Sequence, residues 1–568
     1  MAGDPLSPRP LERLGLTLRT AAHLRPAQIV HRVRLRSQRA ALGLLPKGWD
    51  AVLRRDVPEG PGWPAEYRPI DAQLADGYPS AEDNARGWFK FLNEERHLGE
   101  LPDWAQLSAP QLWRYHLHYL EWAWAFAAHH DRAWAQDSFA RLWSSWVAAS
   151  PPGRGDAWSP YVVSLRLWVL CGAYRALAKP ETASEWRSQV DFHTRYLRAH
   201  VEHDVGGNHL IKNLKALIGA GVFLGSDQLI RAGCRLLGRQ LPVQVLADGG
   251  HYERSPSYHC QVLGDLLDVQ QLLQEAGHER YVPTSLSENL DRMQSWLGAM
   301  LMPDGDVPLF NDCVLVGLRR IGFLGAIRSP TSPLTILAPS GYVVMKPDER
   351  IHVVADLGPP CPPELPAHAH AGCLSFELTV DGQRVLVNSG TSTYEPSPRR
   401  SFERSTAAHN TVTVDGQDQS EVWGTFRAAR LARPTLERAE ADDRALTVTA
   451  SHDGYQRLAG SPRHRRSWLL SPGTIEIHDE VASSGPTSLH TSVVRIHTPV
   501  ILAGKTKAGD SIHLGQLVLS ISGGAITTSR AKIATGFGTI QPGHVISATA
   551  AGPLPHRVVM KVVLTQQP

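Results

Sequence analysis

The spacing of apolar residues changes once along this chain, and that change constrains the fold more than any other feature. Between residues 100 and 325, large apolar side chains recur every three or four residues, as in LWRYHLHYLEWAWAFAAHH and NHLIKNLKALIGAGVFLG. This spacing is that of amphipathic helices. Loops rich in Gly, Pro and Asp, such as SPPGRGDAWSP, separate segments of similar length. Many successive helices of this kind predict a ring or solenoid of helical hairpins.

After the Pro- and Ser-rich stretch IRSPTSPLTILAPSG, apolar and polar residues alternate, which is typical of strands. LSFELTVDGQRVLVNSG predicts two strands joined at Asp381 and Gly382, a strong hairpin signal. Similar runs, including NTVTVDGQ, HTSVVRIHTPV and HRVVMKVVLT, continue to the C-terminus. We therefore predict a multidomain α+β chain, in which stacked antiparallel sheets follow the helices.

A chain of 568 residues is too long for one hydrophobic core. We predict a basic N-terminal arm and helical lead-in over residues 1–95, a helical domain over 96–330 and a β-domain over 336–568. Residues 1–60 contain eleven Lys and Arg against five Asp and Glu. This local charge indicates either a solvated face or a surface that meets a polyanion.

Composition excludes several classes of protein. The formal net charge of +3 is small, so neither nucleic acid nor a membrane is an expected partner. Arg13, Arg19 and Arg25 interrupt the N-terminal apolar runs, so we expect a cytoplasmic protein, or a periplasmic or secreted one if a leader was removed. The six cysteines are scattered singly, which indicates neither a disulfide framework nor a thiolate zinc site. Most of the sixteen tryptophans fall at helical spacing and are interpreted as core rather than as sugar-stacking platforms.

Four polar clusters combine His, Asn, Tyr and Arg in segments that read as loops, where functional groups tend to be displayed. They are GGNHLIKN, DGGHYERSPSYH, PAHAHAG and RRSFERSTAAHN. Each has an ordinary structural explanation when taken alone, such as a helix cap or a buried phenol. The HAH motif places two imidazoles on one side of a strand, which suits two metal ligands or one ligand beside one catalytic group. Four such clusters, two in each predicted domain, indicate a functional site.

These segments resemble the heparinase II/III-like polysaccharide lyases, a family related to alginate lyases. The resemblance covers nearly the whole chain, and its most specific pieces are GGNHLIKNLKAL, DGGHYERSPSYH, PDGDVPLFND, PAHAHAGCLSFEL and RSTAAHNTVTVDGQDQSE. It implies an N-terminal (α/α) toroid followed by a C-terminal antiparallel β-sandwich, with an acidic glycan bound in the cleft between them. The expected reaction is β-elimination beside a uronic acid, which gives an unsaturated 4,5-uronate end.

The resemblance also implies the roles of individual residues. Asn208 and His209 would neutralise the uronate carboxylate, and Tyr258 would act as general acid and, for one substrate epimer, as base. His368 would be the base for the opposite epimer or would polarise Tyr258. His251 and His259, which flank Tyr258, are expected at most to orient it. The residues assigned to substrate binding are Arg254, Tyr394, Arg400 and Arg404.

Relatives hold a structural divalent ion, zinc or manganese, through the second His of the HAH motif, an acidic residue and a later His. The matching positions here are His370, Asn388 and His409. Asn388 stands where the family commonly carries Asp, and an amide oxygen lacks the carboxylate charge, so metal affinity should fall or preference should shift. No organic cofactor is expected.

The expected substrate is a glycosaminoglycan such as heparan sulfate, hyaluronan or chondroitin, with alginate or a bacterial exopolysaccharide as the alternative. A second class is a non-catalytic glycan-binding protein that retains the cleft. A third is a glycoside hydrolase, which requires two suitably spaced carboxylates. Its only nearby loop candidates are Asp248, Glu253 and Asp304. The oligomeric state stays open.

Overall fold

The structure is a computed structural model that describes residues 10–45, 55–100, 102–327, 332–442, 444–483, 485, 488–502 and 511–565. The helices are α1 (Pro10–Ala21), α2 (Pro26–Leu44), α3 (Ile70–Gln73), α4 (Ala81–Ala85), α5 (Gln111–Tyr119), α6 (Ala123–Ala127), α7 (Arg132–Ala149), α8 (Pro160–Leu177), α9 (Ala183–Ala199), α10 (Gly207–Leu224), α11 (Asp227–Gln244), α12 (Pro256–Glu275), α13 (Leu286–Met300), α14 (Leu318–Leu324) and α15 (Pro398–Arg404). No helix of the described part is long and apolar enough to cross a membrane.

The long helices form two layers. In α10, 16 of 18 residues are buried, whereas α11 buries only 7 of 18 along one stripe. A helix that is apolar on all sides belongs inside, and an amphipathic one belongs outside. By this criterion α8, α10 and α12 form the inner layer, and each packs against an outer neighbour, α9, α11 or α13. Gly219 of α10 allows close packing, because a Cβ there would lie 2.7 Å from the Trp168 ring.

The strands are β1 (Trp88–Phe91), β2 (Glu94–His97), β3 (Leu334–Leu337), β4 (Tyr342–Met345), β5 (Ile351–Asp356), β6 (Phe376–Val380), β7 (Gln383–Leu386), β8 (Val412–Val414), β9 (Val422–Trp423), β10 (Arg427–Ala428), β11 (Pro434–Ala441), β12 (Leu446–His452), β13 (Pro462–Ser471), β14 (Thr474–Ser483), β15 (Leu489–Thr498), β16 (Ile512–Leu514), β17 (Leu517–Ser522), β18 (Ala525–Gly536), β19 (Thr539–Pro553) and β20 (His556–Leu564). The hairpin β1–β2 spans the boundary predicted at residue 95, within the helical half of the chain.

Besides the two-stranded β9–β10 sheet, the described part of the β-domain contains three larger antiparallel sheets. Their strand orders are β3-β4-β5-β6-β7, β11-β12-β13-β14-β20-β17-β16 and β18-β19-β15-β8. One apolar core lies between these three sheets. Each sheet contributes side chains to it: Phe376 from the first, Trp468 from the second and Ile546 from the third. The predicted hairpin at Asp381 and Gly382 joins β6 to β7, and both residues have positive φ, as a tight two-residue turn requires. The chain thus folds into helices followed by antiparallel sheets, and the fold class predicted from the sequence is confirmed.

Tryptophan supports the core of the helical half. Twelve of the fifteen tryptophans in the described residues are buried, and eleven of these precede the first strand of the β-domain. Trp63, Trp122 and Trp146 also donate their indole N–H groups to protein acceptors. The interpretation of most tryptophans as core residues is therefore confirmed.

Candidate functional site between the helical and β-domains

The N-terminus of α10 presents two of the predicted site residues, Asn208 and His209. The chain enters this helix through Gly206 and Gly207, which both have positive φ. Gly207 cannot carry a side chain, because a Cβ there would lie 2.3 Å from Glu253 Oε1. The backbone N–H of Asn208 donates to the same Glu253 oxygen at 2.6 Å. The glycine pair therefore brings the first turn of α10 against a buried carboxylate.

Glu253 is the centre of the interdomain contact. Its oxygens accept from the Asn208 side-chain amide at 3.1 and 3.2 Å, and Oε2 lies 3.4 Å from His368 Nε2 in the β-domain. Burial raises the pKa of Glu253, but His368, His251 and the Asn208 hydrogen bonds outweigh burial and hold the pKa below its usual value. An ionised carboxylate thus links the two domains. Sequence reasoning named Glu253 only as a hydrolase candidate.

His368 lies between two carboxylates. Its Nδ1 is 3.1 Å from Asp312 Oδ2, opposite the contact of Nε2 with Glu253. A carboxylate can only accept, so the imidazole donates to both partners when both ring nitrogens are protonated. Both ring nitrogens of His368 are thus engaged by carboxylates. The role of His368 as the base for the opposite epimer, or as the group that polarises Tyr258, stays a prediction.

Tyr258 stacks on His368 instead of bonding to it. The ring centroids are 3.9 Å apart, with an interplanar angle of 29°. The Tyr258 hydroxyl pairs with the hydroxyl of Tyr394 at 3.0 Å. Burial, followed by Tyr394 and nearby carboxylates, raises the pKa of Tyr258 well above its ordinary value. The phenol therefore carries its proton at neutral pH, which suits an acid.

His209 has one nitrogen engaged and is the more open histidine of the site. Its Nδ1 lies 3.2 Å from Glu202 Oε1, and its side chain is 34% exposed. Its ring centroid lies 4.3 Å from that of Tyr161, with the two planes tilted by 37°. Burial lowers the pKa of His209, but Glu202 and Glu253 outweigh burial and raise it. A carboxylate behind Nδ1 fixes the tautomer and leaves Nε2 for proton exchange.

Two of the predicted substrate-binding arginines are instead buried structural groups. Arg400 forms a two-pronged ion pair with Asp312 and donates to Thr425 O. Arg404 donates to the carbonyls of Ala369 and Gly424. Both guanidinium groups are at most 1% exposed, and their donors are already satisfied. The prediction that they contact substrate directly is corrected: they hold the loops around His368.

Arg254 also has a structural position. Its guanidinium donates to the carbonyls of Ser340 and Pro339 in the β-domain, at 3.1 and 3.3 Å. Its backbone has a φ of 59°, and its carbonyl accepts from Tyr342 and Asn311. The predicted substrate contact is corrected to an interdomain tie.

Tyr394, the remaining predicted substrate-binding residue, does reach the site. Its hydroxyl meets Tyr258, and the Arg400 guanidinium lies 4.8 Å from its ring centroid. The rings of Phe426 and Phe537 lie 5.1 and 4.8 Å away. Tyr394 is thus fixed by aromatic contacts from two further loops, and its hydroxyl is the part that faces Tyr258.

His251 and His259 are core residues rather than site residues. His259 Nε2 lies 3.1 Å from the Met293 carbonyl, and Nδ1 accepts the backbone N–H of His251. Burial lowers the pKa of His251 to about 4 and that of His259 to about 3. Neutral, fully packed imidazoles fit the limited orienting role expected of them.

Two of the three predicted metal ligands meet. His370 Nε2 bonds Asp312 Oδ1 at 2.8 Å and His409 Nδ1 bonds Ser405 O at 2.7 Å, so both of these nitrogens donate. The remaining nitrogens, His370 Nδ1 and His409 Nε2, face each other at 3.2 Å. In neutral imidazoles both carry lone pairs, an arrangement that a divalent cation would satisfy.

A second histidine pair, His452 and His464, does not bring two nitrogen lone pairs face to face. His452 Nδ1 accepts the Gly454 N–H, and His464 Nε2 donates to Asp479. The intervening contact, 3.2 Å long, is then an ordinary donor–acceptor pair from His452 to His464. Neutral imidazoles satisfy this pair without a cation.

Asn388 does not complete the metal site. Its Oδ1 accepts the Asn410 N–H at 3.1 Å, and its Nδ2 faces the Leu309 carbonyl. Among the described residues no group of three or more His, Cys, Asp or Glu side chains is arranged to hold a metal. Of the three metal ligands predicted from sequence, only the two histidines face each other. Asn388 instead hydrogen-bonds to the backbone beside them.

The carboxylates required for hydrolysis are not paired in the cleft. Asp248 accepts from Ser340 and from the Gly250 N–H, and Asp304 forms a two-pronged ion pair with Arg384. Only Glu253 reaches the site, and its oxygens already face Asn208 and His368. A pair of acids around one glycosidic bond is therefore not formed by these three residues.

Comparison with known proteins identifies the class of fold. A crystal structure of heparinase III superposes with a TM-score of 0.72 at 17% identity, over 91% of this chain and 88% of that one. A structure of chondroitinase AC lyase gives a TM-score of 0.51 at 12% identity, over 88% of this chain and 82% of that one. The fold is thus an (α/α) toroid followed by antiparallel β-sheets.

Family models identify the chain more closely. The heparinase II/III N-terminus matches residues 89–320, and the heparinase II/III-like C-terminal region matches residues 329–560. These matches cover most of the chain, which belongs to the heparinase II/III-like family.

Two curated relatives differ in what their names describe. FtsZ-localized protein C of Caulobacter vibrioides is 29% identical over 401 residues, which cover 66% of this chain and 67% of that protein. Heparin-sulfate lyase of Bacteroides stercoris is 23% identical over 374 residues, which cover 59% of this chain and 53% of the lyase. The alignment thus spans about half the length of that lyase.

Proposed function

We propose that this chain is a polysaccharide lyase that cleaves a uronic-acid-containing glycan by β-elimination. One observation carries the proposal: His368 of the β-domain stacks on Tyr258 of the helical domain and meets Asn208 through the shared carboxylate of Glu253, with His209 in the same turn as Asn208. Glycan binding alone does not require an imidazole, a protonated phenol and an amide brought together in this way. The names of the heparin-sulfate lyase relatives support a glycosaminoglycan as substrate, with alginate or an exopolysaccharide as alternatives.

In the proposed reaction, the C5–H bond of the uronate breaks and its electron pair forms the C4=C5 double bond. The C4–O4 bond breaks in turn, and the departing oxygen takes a proton. One N–H of the Asn208 amide would turn from Glu253 to the uronate carboxylate, while the other stays on Glu253, and would stabilise the charge that develops there. We assign the C5 proton to His209 Nε2, because Glu202 holds the other nitrogen as a donor and the raised pKa suits a base near neutral pH.

Tyr258 is assigned as the acid that protonates O4. Its raised pKa keeps the proton in place until the bond breaks. The phenolate that forms would lie against His368, whose ring stacks at 3.9 Å, and would receive a hydrogen bond from Tyr394. His368 therefore acts on Tyr258 through its position. No step of this scheme passes through the His370–His409 pair.

The test is an assay on heparan sulfate, hyaluronan, chondroitin and alginate that follows ultraviolet absorbance of the unsaturated uronate together with reducing ends. We expect both signals to rise together on at least one glycan. Tyr258→Phe should lower the rate by at least about 100-fold, the usual contribution of a general acid. Tyr281→Phe, which alters a tyrosine bound to Asp227 outside the site, is the matched control. Reducing ends without the chromophore would contradict the lyase assignment, and an active Tyr258→Phe would contradict the assignment of the acid.

A second candidate function is non-catalytic glycan binding. It is favoured by the 29% identity to FtsZ-localized protein C, whose name describes a location and no enzyme activity; this identity exceeds the 23% identity to the Bacteroides stercoris lyase. The same assay separates the two functions. Glycan binding without any unsaturated product, in wild type and in Tyr258→Phe alike, would support the second.

A further inference from the structure

The two N-terminal helices carry an unusual share of exposed apolar surface. Of the 21 large apolar side chains that are exposed in the described residues, seven lie on α1 and α2. They are Leu11, Leu14, Leu18, Ile29, Val30, Val33 and Leu44. Their exposed fractions range from 46% for Ile29 to 87% for Leu44. An apolar concentration of this kind usually marks an interaction surface.

On α2 these side chains form one continuous stripe. After the first two residues of α2, its uncharged exposed residues follow the spacing i, i+1, i+4, i+8, i+11, i+12 and i+15, which is one face of a helix. They are Ile29, Val30, Val33, Ser37, Ala40, Ala41 and Leu44. On α1, Leu11, Leu14 and Leu18 follow the corresponding spacing i, i+3 and i+7. We call these two exposed stripes together the apolar face.

The opposite side of each helix is fixed to the protein. On α2, Leu35 is buried and Gln28 donates to the carbonyls of Asp204 and Glu364. On α1, Arg19 pairs with Glu421, and Thr20 donates to Ala428 O. The apolar face is therefore held outward by contacts with both domains.

The charge of the segment that carries the apolar face is mostly positive. The segment from residue 10 to residue 45 contains seven arginines, no lysine and a single acid, Glu12. Arg19, Arg25 and Arg32 pair with acids of the body of the protein. Arg34 and Arg36 are exposed, and they lie on the two edges of the α2 stripe. An apolar stripe bordered by arginine is the pattern of a helix that lies in the interface of a membrane.

We propose that the apolar face docks on a bilayer that contains anionic phospholipid. Insertion of the valine, isoleucine and leucine side chains below the headgroups would place Arg34 and Arg36 at the level of the lipid phosphates. A second copy of this chain fits less well, because a symmetric dimer brings the same patch of each copy together and would oppose the arginine rows. Docking revises the expectation that a membrane is not a partner, and it involves no membrane-spanning helix.

The position of these helices links docking to the cleft. Arg25, just before α2, pairs with Glu364, and the neighbouring Leu365 packs against Gly207 at the start of α10. Helix α1 contacts the β9–β10 hairpin, whose connecting residues Gly424 and Thr425 accept from Arg404 and Arg400. A docked protein would therefore hold its cleft beside the membrane surface. This inference is independent of the lyase proposal, since binding is measured without a glycan.

The test is co-sedimentation of the full chain with vesicles of phosphatidylglycerol and phosphatidylcholine, compared with phosphatidylcholine alone, at low and high salt. We expect binding to the anionic vesicles, and weaker binding at high salt. Val30→Glu with Val33→Glu should abolish it, because both side chains are exposed and their replacement leaves the core intact. Arg34→Gln with Arg36→Gln should weaken it by about fivefold for each arginine.

Leu489→Glu is the matched control, because Leu489 is a 79% exposed apolar residue on β15. This variant should bind like the wild type. Absence of sedimentation with anionic vesicles would overturn the proposal, as would binding that Val30→Glu with Val33→Glu leaves unchanged. A dimer in analytical ultracentrifugation that this double variant dissociates, without any vesicle binding, would assign the apolar face to a second copy instead.

Discussion

At the scale of single residues, Asp312 organises the site although the sequence predicted no role for it. Its carboxylate accepts from Arg400, His368 and His370. Burial raises its pKa, but Arg400 and the two histidines outweigh burial and hold the pKa well below its usual range. Asp312 thus fixes the orientation of both histidines of the HAH motif. The same carboxylate accepts the hydrogen bonds of the Arg400 guanidinium, which the sequence predicted to bind substrate.

Glu202 sets the pH at which His209 gains its proton. The Glu202→Gln change keeps the size of the side chain and removes the charge that raises the His209 pKa against the opposing effect of burial. A base must be neutral, so lyase activity should rise with pH through the His209 pKa, which lies above its ordinary value in the wild type. In Glu202→Gln that pKa falls, and the acidic limb of the kcat/KM profile should move to lower pH.

The measurement is kcat/KM against pH for both proteins. Glu82→Gln is the control, because Glu82 pairs with His129 in the same way at another place on the toroid. Its profile should match the wild type. An acidic limb that stays in place in Glu202→Gln would show that His209 is not the titrating base.

Several residues of the site could be found from the sequence, and others could not. Asn208, Tyr258 and His368 stand in motifs whose residue types are uncommon in ordinary loops, and the structure brings them together. Arg400 and Arg404 looked equally functional, because sequence shows charge but not burial. Only the three-dimensional structure reveals that Asp312 and the carbonyls of the surrounding loops take up their donors.

At the scale of elements, the periodicity was sufficient to find the long helices and the hairpins. The turn at Asp381 and Gly382 is local chemistry, so sequence predicts it well. The order of the seven-stranded sheet, with β20 between β14 and β17, depends on contacts between distant segments. The alternation of apolar and polar residues looks the same in every strand, so it does not show which strands are neighbours in the sheet.

A buried ion cluster joins α10 to α12. Lys215 donates to Asp265 at 2.9 Å and to Asp268 at 2.6 Å, and its side chain is 3% exposed. Lys215→Met leaves both carboxylates without this partner, and we expect the free energy of unfolding to fall by about 3–5 kcal/mol. Urea denaturation measures the change.

Lys179→Met is the control for this prediction. Lys179 pairs with Asp137 at the surface, where solvent screens the interaction, so its removal should change stability little. Equal effects of the two substitutions would show that the α10–α12 cluster is not a buried network in solution.

At the scale of the whole molecule, the site exists only while the two domains stay together. The helical domain supplies Asn208, His209, Glu253 and Tyr258, and the β-domain supplies His368. Outside the site, Asp248 accepts from Ser340, and Arg254 donates to two carbonyls of the same turn. These contacts fix the relative position of α12 and the first sheet of the β-domain. Rigidity at this contact is therefore a condition for the Tyr258–His368 stack.

Arg254→Ala tests this interdomain tie against the substrate-binding role that the sequence suggested. Loss of two hydrogen bonds from a charged donor should lower the free energy of unfolding by about 2 kcal/mol. Because Arg254 lies four residues before Tyr258, we also expect a lower kcat with an unchanged KM. Arg557→Ala, which removes a largely exposed arginine from β20, should leave both stability and kinetics near wild type. A raised KM at unchanged stability would instead restore Arg254 to the substrate-binding residues. Thermal unfolding and steady-state kinetics on the same preparations separate these outcomes, since only a structural tie predicts that stability and kcat fall together.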